Sequence, residues 1–185
     1  MRPLAALLVV ALIAGITAFA VITGDDNGAT GSKRCPSQIP ADVEPVAVGD
    51  AIPNFSLPEL DGDCVHLAGY RGHSLVMNFW ASWCHPCRVE FPLLHEARDR
   101  FTDRGLEVIG VVHNDIASDA RGFAEETGAD WPLLFDEDNV VSKMFGVSQI
   151  PQTFFIARDG TLVSHVYGLT SARDLNAEIE RLLKR

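Results

Sequence analysis

The sequence predicts an α/β domain, and three observations carry that prediction. A short apolar run, Leu75-Val76-Met77-Asn78-Phe79-Trp80, leads into Trp83-Cys84-His85-Pro86-Cys87. An amphipathic stretch follows, in which Leu93, Leu94, Ala97 and Phe101 recur at helical spacing among Arg88, Glu90, Glu96, Arg98 and Arg100. A second apolar run, Leu106-Glu107-Val108-Ile109-Gly110-Val111-Val112, suits a strand covered on both faces and completes a β-α-β unit. Farther on, Thr153–Ala157 and Leu162–Tyr167 pair across Asp159-Gly160, a hairpin signal.

The remaining elements follow from local chemistry. Phe55-Ser56-Leu57 and Cys64-Val65-His66-Leu67 flank Asp61-Gly62 and read as an N-terminal β-hairpin. After the strand Leu75–Phe79, a helix is expected over Pro86–Thr102. Pro86 fits its first turn, where a missing N–H breaks no intrahelical bond, whereas Pro92 removes the bond to the Arg88 carbonyl and predicts a kink. Ser118 to Thr127 makes a short helix ended by Gly128, and Asn139 to Phe145 another ended by Gly146. The last helix, Ala172–Leu183, is expected to bury Leu175, Ile179, Leu182 and Leu183.

The first residues speak to compartment. Arg2 is the only charged side chain before Asp25, and Leu4 to Ile22 is a predominantly apolar run of 19 residues, close to the roughly 20 that a membrane-spanning helix requires. Ala18-Phe19-Ala20 offers a small-x-small cleavage pattern, but the apolar run continues through Val21 and Ile22, which favours a retained single-pass anchor over a cleaved signal. Either outcome exports the rest, and the positive-inside bias places everything after Gly24 on the extracytoplasmic side of the cell membrane. Residues 1–24 therefore read as the anchor or uncleaved signal, 25–47 as an extracytoplasmic linker rich in Gly, Asp, Ser and Pro, and 48–185 as one domain. The formal net charge is -10 with no basic stripe, so nucleic acid is not an expected partner and the acidity reads as a solvated surface.

Two of the four cysteines, Cys84 and Cys87, sit at the strand-to-helix corner. Unpaired N–H groups and the helix dipole favour negative charge there, so the thiolate of Cys84 is stabilised and Cys84 is the expected nucleophile. Cys87, inside the turn, is the expected resolving thiol. An inert structural disulfide is the competing reading, but it would not need this corner or a flanking tryptophan. Cys35 and Cys64 remain, and in an oxidising compartment such a pair is more readily bonded than free. A structural disulfide is expected between them, with two unrelated thiols as the alternative. A zinc site would need a second close pair, which the neighbourhood of Cys35, Cys64 and His66 lacks. His66, His73, His95, His113 and His165 show no ligand spacing and read as surface or satisfied core residues. Neither metal nor organic cofactor is expected.

These residues also carry a family resemblance. Phe79-Trp80-Ala81-Ser82-Trp83-Cys84-x-Pro86-Cys87-Arg88-x-Glu90-x-Pro92, preceded by Gly49-Asp50-Ala51-Ile52-Pro53-Asn54-Phe55 and followed by Ile150-Pro151-Gln152-Thr153-Phe154-Phe155, resembles the TlpA/ResA-type, CcmG-like branch of thioredoxin-like proteins. The match runs over about residues 48 to 185, with several separated motifs in the right order. It implies a thioredoxin-like fold, a central mixed β-sheet flanked by helices, with an added N-terminal β-hairpin and a helical insertion at Ile116 to Gly146. It also implies a membrane-tethered thiol:disulfide oxidoreductase working outside the cytoplasm. Within this branch sit reductases that prepare apocytochrome c thiols for haem attachment by reducing the disulfide between them, fed by a membrane thiol electron carrier.

By the same resemblance, Pro151 is the cis-proline facing the active disulfide, and Trp83 with the Ile150-Pro151 edge shapes the groove for a cysteine-containing segment. Cytoplasmic thioredoxins carry a buried acid at the strand position occupied here by Asn78. Glu90 lies one helical turn after Cys87, and ResA-like proteins carry a glutamate there too. A partly buried Glu90 would move the proton of Cys87, whereas a solvated one would only complement the helix dipole; both readings stay open at this point. His85 and Pro86 are the tuning positions between the cysteines. A protonated His85 would stabilise the Cys84 thiolate and make the disulfide more oxidising, so an oxidant in disulfide formation of secreted proteins stands beside the favoured reductase. A thiol peroxidase would need Pro-x-x-x-Thr-x-x-Cys, absent at Trp80-Ala81-Ser82-Trp83, and a copper chaperone would use Cys-x-x-x-Cys, one residue longer than the spacing here.

Overall fold

A computed structural model describes Cys35, Ile39 and residues 44–185. The expected anchor at 1–24 and most of the linker at 25–47 lie outside the described residues. No helix among the described residues is long and apolar enough to cross a membrane.

The chain begins with an antiparallel hairpin, β1 (Ser56–Pro58) and β2 (Cys64–His66), in which Leu57 pairs with Val65. There follow β3 (Ser74–Trp80), α1 (His85–Phe101), β4 (Leu106–Val112), α2 (Ala117–Thr127), β5 (Leu133–Phe135), α3 (Val140–Met144), β6 (Gln152–Ile156), β7 (Leu162–Tyr167) and α4 (Ala172–Leu182). Five strands form one mixed sheet in the order β5-β4-β3-β6-β7. β3, β4 and β5 run parallel, while β6 is antiparallel to β3 and β7 to β6.

β3 is buried along its whole length and its side chains alternate between two cores. Leu75, Met77 and Phe79 join Ile109, Val111, Phe154 and Ile156 in one core, which α3 closes with Val141 and Met144 and the hairpin closes with Leu57. Val76 and Trp80 join Val108, Val112 and Phe155 in the other, beneath Phe91 and Leu94 of α1, Phe123 of α2, and Leu175, Ile179 and Leu182 of α4. Trp80 lies 5.0 Å from Phe91 and 4.8 Å from Phe123 between ring centroids, which pins α1 and α2 to the sheet. The same alternation places Asn78 on the α1 side, between Val76 and Trp80.

The structure departs from the sequence reading at several points. The segment from Ile116 to Gly146, expected as a helical insertion, contains the edge strand β5, which pairs with Gly110–Val112. Three apolar residues are too few to show a period, so only sheet pairing distinguishes this strand from the end of a helix. α1 spans His85–Phe101 with Pro92 inside it, one residue earlier at each end than expected. Leu183 caps α4 instead of extending it and is half-buried. The linker boundary at 47 falls inside packed chain, since the Val46 N–H donates to the Met144 carbonyl at 2.9 Å and both Ile39 and Val46 pack on the α3-side core. Cys35 is joined to Cys64 of β2 by the expected disulfide, with 5.7 Å between Cα atoms.

Gly110 sits where β4 passes closest to its neighbours. A Cβ there would meet Leu133 Cδ2 at 2.6 Å and Trp80 Nε1 at 2.7 Å. Gly110→Ala should lower stability by roughly 1 to 3 kcal/mol through overpacking, read from the midpoint of urea unfolding. Replacing Cys35 and Cys64 by serine should remove roughly 3 to 4 kcal/mol by the loop-entropy relation, because the bond closes a separation of 29 residues. Disulfide-exchange turnover should survive that change.

Candidate active site

Ala81, Ser82 and Trp83 connect the C-terminal end of β3 to α1, and Cys84 is the N-cap of that helix. Cys84 and Cys87 form a disulfide with Cα atoms 5.3 Å apart. The Cys87 backbone N–H donates to Cys84 Sγ at 3.2 Å, so the sulfur occupies the place where a serine or aspartate oxygen usually caps a helix. Cys84 is 4% exposed and Cys87 fully buried, while His85 and Pro86 stand in solvent.

The turn that carries Cys84 is held from the loop after β4. The Ser82 N–H donates to Asp115 Oδ2 at 2.6 Å and its hydroxyl to Oδ1 at 3.1 Å, while Trp83 Nε1 donates to the Asn114 carbonyl at 3.1 Å. Asn114 takes a left-handed conformation at φ 51°, and its own N–H donates to Asn139 Oδ1 at 3.0 Å. Sequence reasoning did not assign Asn114 or Asp115 a role. Their signal was available, because Asn-Asp directly after an apolar strand is a turn that offers carbonyl and carboxylate acceptors.

Sheet register sets what else lies at this end of the molecule. Phe79 pairs with Gln152 and Gln152 with Tyr167, so the start of β6 and the end of β7 adjoin the exit of β3. The Ile150–Pro151 peptide bond is cis, Pro151 is buried, and its carbonyl accepts from the Gly168 N–H at 2.9 Å. Trp83 is 61% exposed, Tyr167 73% and Leu169 49%, which leaves large apolar side chains uncovered around this corner. Sequence reasoning assigned Tyr167 and Leu169 no site role, since nothing local separates an exposed strand-end tyrosine from a buried one. Cys64 belongs to the hairpin instead, and Cys35 is bonded to it there. Among the described residues no group of three or more His, Cys, Asp or Glu side chains is placed to hold a metal ion.

Comparison with known proteins agrees with this geometry. Residues 48–165 match the AhpC/TSA family. A thiol-disulfide oxidoreductase ResA from Geobacillus thermodenitrificans is 31% identical over 137 residues, 74% of this chain and 79% of that protein. The chain belongs to this family. It is a thioredoxin-like thiol-disulfide oxidoreductase of the TlpA/ResA type. ResA from Bacillus subtilis is likewise 31% identical, over 69% of this chain and 72% of its own length. A solved structure assigned as thiol:disulfide interchange protein DsbE of Chlorobium tepidum aligns with a TM-score of 0.71 at 29% identity, over 75% of this chain and 99% of that one.

Within this TlpA/ResA-type site the buried acid is Glu90. It lies one turn after Cys87 on α1, is fully buried, and Oε2 accepts from Asn78 Nδ2 at 2.8 Å. Burial pushes its carboxyl up to about 7, and hydrogen bonds from the Asn78 side chain and the Thr170 backbone hold it back from going higher. A solvated role at the helix terminus is thus excluded by burial. His165 Nε2 donates to Gln152 Oε1 at 2.8 Å and the ring stacks on Phe154, whereas the half-buried His113 has no hydrogen-bond partner at Nδ1. Burial pushes the proton affinity of both histidines down.

Glu90 makes stability depend on pH with a definite sign. Between about 4.5 and 7 the folded protein holds a proton that the unfolded chain has released, so this contribution weakens as pH rises through that window. The full difference is on the order of 3 kcal/mol. Relative to the wild type, Glu90→Gln should gain stability steadily from pH 5 to pH 8, as measured by urea unfolding of the oxidised forms, with no change in the difference above that window.

Proposed function

We propose that the chain is a membrane-anchored, extracytoplasmic reductase of disulfides in exported proteins, with apocytochrome c as the substrate class. One observation carries the exchange mechanism, while the reducing direction follows the family resemblance. Glu90 is a buried carboxyl one turn below Cys87 with a proton affinity near neutral, which suits the step in which the resolving thiol must become a nucleophile.

In this reading the Cys84 thiolate attacks a substrate disulfide, forming a mixed disulfide and releasing one substrate thiolate. Cys87 then gives its proton to the Glu90 carboxylate and attacks Cys84 Sγ. The bond between Cys84 and the substrate sulfur breaks, and that sulfur leaves with the electron pair. The substrate ends with both sulfurs reduced, and the enzyme ends with the Cys84–Cys87 disulfide, to be reduced again by a membrane thiol carrier. Helix-terminus N–H groups stabilise the Cys84 thiolate, and Pro86 keeps the first turn in place. Trp83, Ile150 and Pro151 border the groove in which the substrate cysteine docks. Two disulfides in one small domain, together with the apolar run Leu4 to Ile22, support an oxidising compartment outside the membrane.

Trapping tests the roles. Cys84→Ser should abolish exchange, whereas Cys87→Ser should accumulate mixed disulfides with partner proteins, identifiable by mass spectrometry. Trapping by the Cys84 variant and not by the Cys87 variant would invert the assignment. A second reading, an oxidant, is favoured by His85, which stands exposed beside Cys84 at the positive end of α1. A cation there stabilises the thiolate and hence the reduced protein. The equilibrium potential against glutathione decides between them: a value near that of thioredoxin, about -270 mV, supports the reductase, and one near that of DsbA, about -120 mV, reverses the direction.

A further inference from the structure

Asn78 is a polar side chain in the middle of an apolar central strand, fully buried, and its amide is divided between two elements. Nδ2 donates to Glu90 Oε2 on α1 at 2.8 Å and to Thr153 Oγ1 on β6 at 2.9 Å. An amide nitrogen carries two protons, so both are committed. Thr153 is also fully buried and stands directly opposite Asn78 in the β3–β6 register. The amide therefore cannot turn toward or away from Glu90 without breaking its bond to the strand that follows Pro151. In this orientation both amide protons meet acceptors, whereas the reverse would set Oδ1 against the Glu90 oxygen once the carboxyl is ionised.

We propose that Asn78 is a positioning residue for disulfide exchange: anchored on Thr153, it fixes the Glu90 carboxyl in the core and supports its ionised form, which sets the pH at which Glu90 takes up the proton of Cys87. The proposal rests on the reading of Glu90 as the proton carrier. The groups that act on Glu90 are the Asn78 amide from β3 and the Thr170 backbone ahead of α4, with Cys87 one turn away on α1 itself; no ionised side chain contributes. A carboxylate so buried depends on its few donors, since no counter-charge offsets their loss. Asn78 is neutral at every pH, so it supports the carboxylate without competing for the proton, which an aspartate at the same position would do.

The Glu90 side-chain carbon can be followed by 13C NMR in the full oxidised chain, where Cys87 does not titrate, with Glu90→Gln identifying the resonance. Asn78→Leu, which removes the donor at similar volume, should raise the midpoint by about one pH unit, a tenfold gain in proton affinity. The pH profile of exchange with a disulfide substrate should move by the same amount, and Glu90→Gln should erase that inflection in both backgrounds. An unchanged midpoint in a folded Asn78→Leu protein overturns the proposal. Should that variant fail to fold, Thr153→Val releases the amide from its anchor and should raise the midpoint by a smaller amount; no rise there overturns the proposal equally. A midpoint that moves while the rate profile stays in place overturns the proton-carrier reading of Glu90, and the positioning role with it, even though the hydrogen bond stands.

Discussion

The two-sided burial of β3 is the constraint on which the rest of the molecule depends. A central strand covered on both faces must send alternate side chains into two separate cores, and every residue from Ser74 to Trp80 is buried. This alternation assigns Leu75, Met77 and Phe79 to the α3 side, and Val76 and Trp80 to the side covered by α1, α2 and α4. Asn78 has no choice of face. A polar group so placed must find partners within the protein, and its donors reach Glu90 and Thr153.

From that strand the site follows by short covalent steps. Trp80 packs on Phe91 and Phe123, which sets where α1 begins, and Cys84 then falls at the helix N-cap. The turn between them is held from outside by Asp115 and Asn114, so its geometry does not depend on the sulfur chemistry alone. Parallel pairing of β3 with β4 brings the Asn114-Asp115 loop to the same end as the cysteines, and antiparallel pairing with β6 brings Pro151 there. Three chain segments far apart in sequence thus meet at one corner because their strands share a register.

Acid placement distinguishes this site from one with a solvated glutamate in the first turn. Glu90 faces the sheet, where burial raises its proton affinity and only a few donors oppose the shift. A carboxyl near neutrality beneath a thiol is the arrangement general acid–base chemistry needs. Arg88, close by on the same helix, pairs with Glu126 at 2.7 Å and lies over Phe123, so its charge is engaged toward α2.

Much of the fold was legible because its signals are local. The Leu75–Trp80 and Leu106–Val112 runs, the helix after Cys84 and the hairpin across Asp159-Gly160 each carry their period or turn chemistry within a few residues. The Cys84–Cys87 pair and Glu90 were readable for the same reason, since a helix start fixes which groups lie one turn apart. Strand β5 was not, because three apolar residues acquire their identity only by pairing with β4. Nor were Ile39 and Val46 as core neighbours, because a polar, proline-containing segment shows no period even where it packs. The sequence by itself determined the α/β class, the thiol pair at a helix terminus and the acid one turn below it. Tertiary structure alone decided that Glu90 is buried and hydrogen-bonded to Asn78, that Asn78 is anchored on Thr153, and that Asp115 holds Ser82. Those contacts join residues between 12 and 75 positions apart, and only the sheet register and the packing of α1 bring such residues together.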